Sequence, residues 1–111
     1  MSETMEIYKI KKDLNICRET LNAIGNKTRL GIIATLLEIN CTGMRVGEIA
    51  RCAKLSRPAV THHLKILLGT DIVGRYSKET RSYYYLKFGG EWQRLVALFN
   101  LTEKLRAEGL E

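Results

Sequence analysis

The sequence predicts a mainly α-helical fold with one small β-hairpin, built as a single domain over residues 1–111. Three observations predict it. Apolar residues recur at steps of three and four through most of the chain, which is the period of a helix. Only the stretch 72–88 departs from that period, with β-branched and aromatic residues flanking a polar tip, as in a hairpin. The 111 residues are 45% hydrophobic, enough for one modest core, and no linker, internal repeat or low-complexity segment divides them.

From Ile7 onward, Ile7, Ile10, Leu14, Cys17, Leu21 and Ile24 form one helical stripe, which Gly25 ends. Its alternating steps of three and four also suit a helix packed lengthwise on another helix, which makes the segment a candidate dimer contact. Asn26 or Thr28 can cap the next helix, where Leu30, Ile33, Leu36 and Leu37 recur at helical spacing up to about Glu38. The polar residues Asn40 to Gly43 form its exit. A shorter helix from about Arg45 to Ala53 places Val46, Ile49, Ala50 and Ala53 on one side, and Lys54 and Leu55 make a tight turn.

Ser56 suits an N-cap because its hydroxyl can accept from a first-turn amide. Pro58, the only proline, falls where a helix start tolerates a missing N–H. The helix from Ser56 continues to Gly69, with Val60, Leu64, Leu67 and Leu68 inward and Pro58, Thr61, His62 and Lys65 outward. Next come Ile72 to Ser77, the tip Lys78 to Arg81, and Tyr83, Tyr84 and Tyr85. Strand alternation sends Tyr84 to the face opposite Tyr83 and Tyr85, so the tyrosines read as packing of the hairpin rather than a stacking platform for single strands.

From Gly90 a last helix carries Trp92, Leu95, Val96, Leu98, Phe99, Leu101 and Leu105, an apolar spread wider than one core face requires. A second copy of the chain is the simplest cover. Segments 1–25 and 90–108 are therefore the expected dimerisation helices, with Ile7, Ile10, Leu14, Trp92, Leu95 and Phe99 as candidate interface residues. The expected order is four helices, a hairpin and a closing helix.

A formal net charge of +6 steers the chain toward polyanions, either nucleic acid or an anionic membrane surface. The longest apolar stretch, Ile32 to Leu37, is interrupted by Thr35 and is far too short to span a bilayer; no secretory leader pattern is present, so the chain reads as soluble and cytoplasmic. Three cysteines, Cys17, Cys41 and Cys52, are an odd number without the density of a disulfide scaffold. An enzyme is disfavoured: there is no glycine-rich phosphate loop and no His-Glu-x-x-His motif, and no catalytic residue or cofactor is expected.

Two short helices joined at Lys54, Leu55 and Ser56 match a helix-turn-helix over residues 45–69, whose second helix enters the major groove of duplex DNA. Arg57, Thr61 and His62 offer guanidinium, hydroxyl and imidazole groups suited to base edges. Lys65, Arg75, Lys78 and Arg81 suit phosphates, and Arg81 at the tip alternatively suits a minor groove. Segment 72–88 is then a wing. Two other readings remain open, an RNA binder and a winged helix that binds protein instead of DNA, because fold alone does not fix function.

At these residues the sequence resembles the ArsR/SmtB group of small prokaryotic repressors. The resemblance is carried by Ala23-Ile24-Gly25-Asn26-Lys27-Thr28-Arg29-Leu30, Val46-Gly47-Glu48-Ile49-Ala50, the run Leu55 to Lys65, and Tyr83-Tyr84-Tyr85-Leu86. It implies a winged-helix homodimer joined by its first and last helices, acting as a repressor on an inverted-repeat operator. By motif position it implies DNA contacts from Arg57, Thr61 and His62, with Ser56 as the helix cap. The stretch between Leu37 and Val46 is somewhat longer than in the group, and the tip Lys78 to Arg81 lacks its usual glycine.

Many members of the group respond to metals, through motifs that can be checked here. One thiolate site flanks the Val46 position with two cysteines, where this chain has Arg45 and Gly47; another uses aspartate and histidines on the final helix, where this chain has neither. No metal site is expected. His62 and His63, adjacent on a helix, point about 100° apart and do not converge on one ion. The effector is unassigned; Cys41, in the polar exit and near Arg45, is the candidate thiol sensor.

Overall fold

The computed structural model describes residues 2–38 and 42–109. In chain order these form α1 (Ser2–Ile16), α2 (Arg18–Ile24), α3 (Lys27–Leu37), α4 (Val46–Ala53), α5 (Arg57–Gly69), β1 (Val73–Lys78), β2 (Arg81–Leu86) and α6 (Glu91–Ala107). No helix is long and apolar enough to cross a membrane among the described residues.

The expected first helix is divided at Cys17, giving six helices among the described residues instead of five. Hydrogen bonding persists through the division, from Cys17 N–H to Asp13 O and from Leu21 N–H to Cys17 O, both 2.9 Å. The two pieces have different partners. Helix α1 lies along α6, whereas α2 packs on α3, and one straight stripe cannot face both.

The core gathers Ile32, Ile33 and Leu36 from α3, Ile49 and Ala50 from α4, Val60, Leu64 and Leu67 from α5, and Ile72 and Val73 at the start of the hairpin. Each such large side chain contributes roughly 1.5–3 kcal/mol by leaving water. On α3 the inward face is turned from the expected one. Arg29, Ile32, Ile33 and Leu36 point inward, while Leu30 and Leu37 are exposed.

The strands pair antiparallel from Val73 opposite Leu86 to Lys78 opposite Arg81. Met44 adds a further bridge, its N–H donating to Tyr84 O at 2.9 Å and its O accepting from Tyr84 N–H at 2.8 Å. The wing is thereby fixed to the chain just ahead of α4. Tyr84 packs against the core. On the other side Tyr76 and Tyr83 stack with ring centroids 5.2 Å apart. Tyr85 covers Gly74, where a methyl group would lie 2.5 Å from the ring and would not fit.

Helices α1 and α6 run antiparallel as an arm, tied by Lys104 to Glu6 at 3.0 Å and by Arg94 to Asp13 at 3.4 Å. The radius of gyration is 16.9 Å and the extents are 56 × 25 × 23 Å. A compact domain of this length has a radius of about 13 Å. Leu95, Leu98 and Leu105 are buried, so the wide apolar face of α6 is partly covered by the chain itself. Of the six candidate interface residues, Leu95 is thus buried within the chain, and Trp92 packs on Phe88, centroids 4.7 Å apart, at the edge of the core. Ile10 is half-buried, and Ile7, Leu14 and Phe99 are exposed.

Candidate nucleic-acid interface

Helix α4 ends on Lys54, which takes left-handed angles (φ 59°, ψ 49°), and Leu55 N–H returns to Ala50 O at 2.9 Å. This closes the turn in two residues. Ser56 then starts α5, its Oγ accepting from Ala59 N–H at 3.2 Å, with Pro58 in the first turn. Because Val60, Leu64 and Leu67 anchor one side of α5 in the core, the opposite side is held open. Ser56, Arg57, Pro58, Thr61, His62 and Lys65 are all exposed there, and Arg75, Lys78 and Arg81 are exposed on the wing.

Arg57 takes a different direction from Thr61 and His62. Its guanidinium folds back over Gly47 of α4, so close that a methyl group on Gly47 would lie 2.7 Å from Nη2. Arg45 and Arg51 line the same small cavity.

Behind α5 lies a polar junction that the sequence reading missed. Arg29 is buried on α3 and donates from Nε to Ala23 O at 2.7 Å and from Nη2 to Asn22 O at 3.3 Å. Its Nη1 lies 3.2 Å from Nδ1 of His63 on α5. A guanidinium only donates, so this Nδ1 accepts and the imidazole is neutral. Burial, then the charge of Arg29, then His62 hold the His63 pKa below its ordinary value. Asn26 Oδ1 caps α3 by accepting from Arg29 N–H at 3.0 Å. The signal available in sequence was spacing, since Arg29 stands three and four residues before the core residues Ile32 and Ile33.

Cys41 lies outside the described residues. Cys17 is buried, its Sγ 3.8 Å from Glu91 O, and its pKa is raised first by burial and then by Glu91. Cys52 is exposed. Among the described residues no three His, Cys, Asp or Glu side chains gather where a metal ion would be held.

Residues 26–74 match the family described as "Bacterial regulatory protein, arsR family". The segment from α3 into β1 is similar to this family of bacterial regulators. The match runs from the Asn26 cap of α3 through both helices of the helix-turn-helix into β1, and α1, α2, β2 and α6 lie outside it. The chain is similar in structure to reduced HlyU from Vibrio cholerae, at 26% identity over 81% of this chain and 90% of that one, TM-score 0.64. It shares its fold with the transcriptional repressor BigR from Xylella fastidiosa, at 22% identity over 100% of this chain and 99% of that one, TM-score 0.64. It also shares its fold with a homodimeric winged helix-turn-helix DNA-binding domain from Mycobacterium bovis, a possible ArsR-family regulator, at 23% identity over 88% of this chain and 87% of that one, TM-score 0.61. No curated protein matches significantly. The fold is that of winged helix-turn-helix domains, and the segment 26–74 is similar to bacterial regulatory proteins.

Proposed function

We propose that the protein is a cytoplasmic homodimeric repressor that binds an inverted-repeat operator through α5, with the wing on the flanking backbone. The observation that carries this reading is the open polar face of α5, bearing Thr61, His62 and Lys65 beside a wing that exposes Arg75, Lys78 and Arg81. Thr61 and His62 read base edges, Lys65 and the wing cations hold phosphates, Ser56 fixes the helix start, and Pro58 keeps its first turn in place.

The dimer reading rests on the arm. Ile7, Tyr8 and Leu14 on α1, and Val96 and Phe99 on α6, are large apolar side chains left exposed on a pair of helices that extends from the core. A second copy covers them with the same surface by two-fold symmetry. Two α5 helices then meet half-sites about 34–36 Å apart, or a multiple of that spacing.

The test is recovery of genomic fragments by the purified protein, followed by fluorescence anisotropy on the recovered duplex and a scrambled one at two salt concentrations. Preference for the recovered duplex, with affinity falling as salt rises, is the expected result. Absence of duplex binding at low salt overturns the proposal, and binding of single-stranded RNA alone replaces it with the RNA reading.

A further inference from the structure

The seat of Arg57 is part of a site of its own. Arg45, Gly47, Glu48, Arg51 and Arg57 enclose a cavity of about 150 Å³ where the N-terminal ends of α4 and α5 meet. Three arginines line it beside one glutamate. Among the described residues none of the three arginines forms an ion pair. Glu48 is already engaged, since its Oε1 accepts from the Arg45 backbone N–H at 3.0 Å.

Two of these arginines also oppose the helix dipoles. Arg45 is the N-cap of α4 and Arg57 the first residue of α5, both at positive helix ends that disfavour a cation. Stability therefore does not account for the cluster. A bound anion reverses every unfavourable term at once, since it meets three guanidinium groups and two helix N-terminal ends. Phosphate oxygens suit the planar, multi-donor geometry of arginine. The cavity reaches the start of α5 at Arg57, between Ser56 and Pro58 in sequence, which belong to the face assigned above to DNA.

We infer that Arg45, Arg51 and Arg57 clamp one phosphodiester group of the DNA backbone, with Gly47 as the seat that lets Arg57 fold over α4. This rests on the DNA-binding reading and makes Arg57 a positioning contact to the backbone instead of a reader of bases. Gly47 supplies a clean probe. A methyl group there meets only the far end of a flexible side chain, 2.7 Å from Nη2 and 3.0 Å from Cζ of Arg57, so Gly47→Ala displaces the guanidinium and leaves the core alone.

The experiment measures wild type, R45A, R51A, R57A, G47A, the G47A/R57A double variant and the R45A/R51A/R57A triple variant. Each is titrated against the duplex recovered by the wild type and a scrambled duplex over a series of salt concentrations, with thermal melts to establish that all are folded. Each arginine variant weakens both duplexes by a similar factor, and the triple variant has a salt slope shallower by about 0.9, the value of one phosphate. G47A reproduces the loss of R57A, and the double variant is no weaker than R57A alone, because both act on one contact. An unchanged slope in the triple variant overturns the clamp, as does an R57A effect confined to preference at one base pair. Inorganic phosphate that raises the wild-type melting temperature, while the triple variant keeps the wild-type slope on DNA, also overturns it and assigns the cavity to a free oxyanion. A wild type that binds no duplex removes the underlying DNA reading as well, which separates the two failures.

Discussion

Arg29 on α3 and His63 on α5 are joined at 3.2 Å, guanidinium to imidazole Nδ1, and this contact braces the back of the helix whose front is the polar face. Two cationic residue types in contact stay compatible only while the histidine is neutral. The other acceptors around Arg29, the carbonyls of Ala23 and Asn22, carry no negative charge to offset a second proton.

Stability is therefore expected to depend on pH through His63. Its folded pKa is depressed, so as pH falls through the ordinary histidine range at about 6.5 the unfolded chain takes up a proton before the folded one does. The contribution is complete above that range and is lost progressively as pH falls toward the folded value. Urea unfolding between about pH 5 and 8 should show this loss in wild type and a flatter profile in His63→Gln, whose amide oxygen can accept from Arg29 without titrating. Equal pH profiles for the two proteins would remove His63 as the cause.

Arg29 itself is expected to matter more. Truncation leaves the Ala23 and Asn22 carbonyls and His63 Nδ1 without their donor in a buried place, so Arg29→Ala should cost about 2–4 kcal/mol. Denaturant unfolding measures it. A loss below about 0.5 kcal/mol, the size of an ordinary surface change, would contradict the brace.

The wing tip offers a change of opposite sign. Glu79 has φ 62° in the two-residue turn between Lys78 and Arg81, a conformation in which glycine is at ease and a β-carbon is not. Glu79→Gly should stabilise the fold by roughly 0.5–1 kcal/mol, read as a rise in melting temperature, since the strain removed exceeds the entropy gained by the unfolded chain. The same substitution removes an acidic group from the wing, so DNA affinity is expected to rise slightly and not fall.

How much of this was legible in sequence follows from the range of the contacts involved. The helix-turn-helix rests on local signals, the Ser56 cap and Pro58 and the inward row Val60, Leu64 and Leu67, and the structure has all of them. The α3 face was misjudged by about one residue because Leu30 and Leu37 look like core, whereas the buried arginine beside Ile32 is intelligible only once the Ala23 and Asn22 carbonyls and His63 are brought to it. The division at Cys17 depends on α1 and α2 having different partners, which no period in one segment can express. Met44 joins the sheet by pairing with Tyr84, forty residues further on. Arg57 satisfies the expectation of an exposed residue at the helix start, yet its direction is set by the missing side chain of Gly47, across a turn.

Phe99 and Leu95 separate the proposed dimer surface from the arm's own packing. Phe99 is 51% exposed and Leu95 is 1% exposed, four residues apart on α6. Phe99→Glu should yield folded monomers in sedimentation, with an unchanged circular dichroism spectrum and weak operator binding. Leu95→Glu buries a charge between α1 and α6 and should destabilise the chain by several kcal/mol, on the order of 3 or more. A Phe99→Glu protein that sediments like the wild type would place the dimer contact elsewhere.

The last prediction divides specificity from affinity on the DNA face. Thr61 and His62 project from the exposed side of α5, whereas Lys78 and Arg81 stand opposite each other at the wing tip. Groups that meet base edges act on one sequence, and groups that meet phosphates act on all. His62→Ala should therefore cost about 1–3 kcal/mol on the preferred duplex, relax preference at one base position, and leave the scrambled duplex nearly unaffected. Lys78→Ala and Arg81→Ala should weaken both duplexes alike and make the salt slope shallower by about 0.9 for each phosphate left unneutralised. Anisotropy titrations over a salt series, with a panel of single-base substitutions, measure both quantities together. Should Arg81→Ala instead shift preference between A·T and G·C at the flank of the site without changing the slope, Arg81 reads the minor groove and the wing contributes to specificity. Equal losses on every sequence from His62→Ala would return that residue to the backbone and leave Thr61 as the base reader on α5.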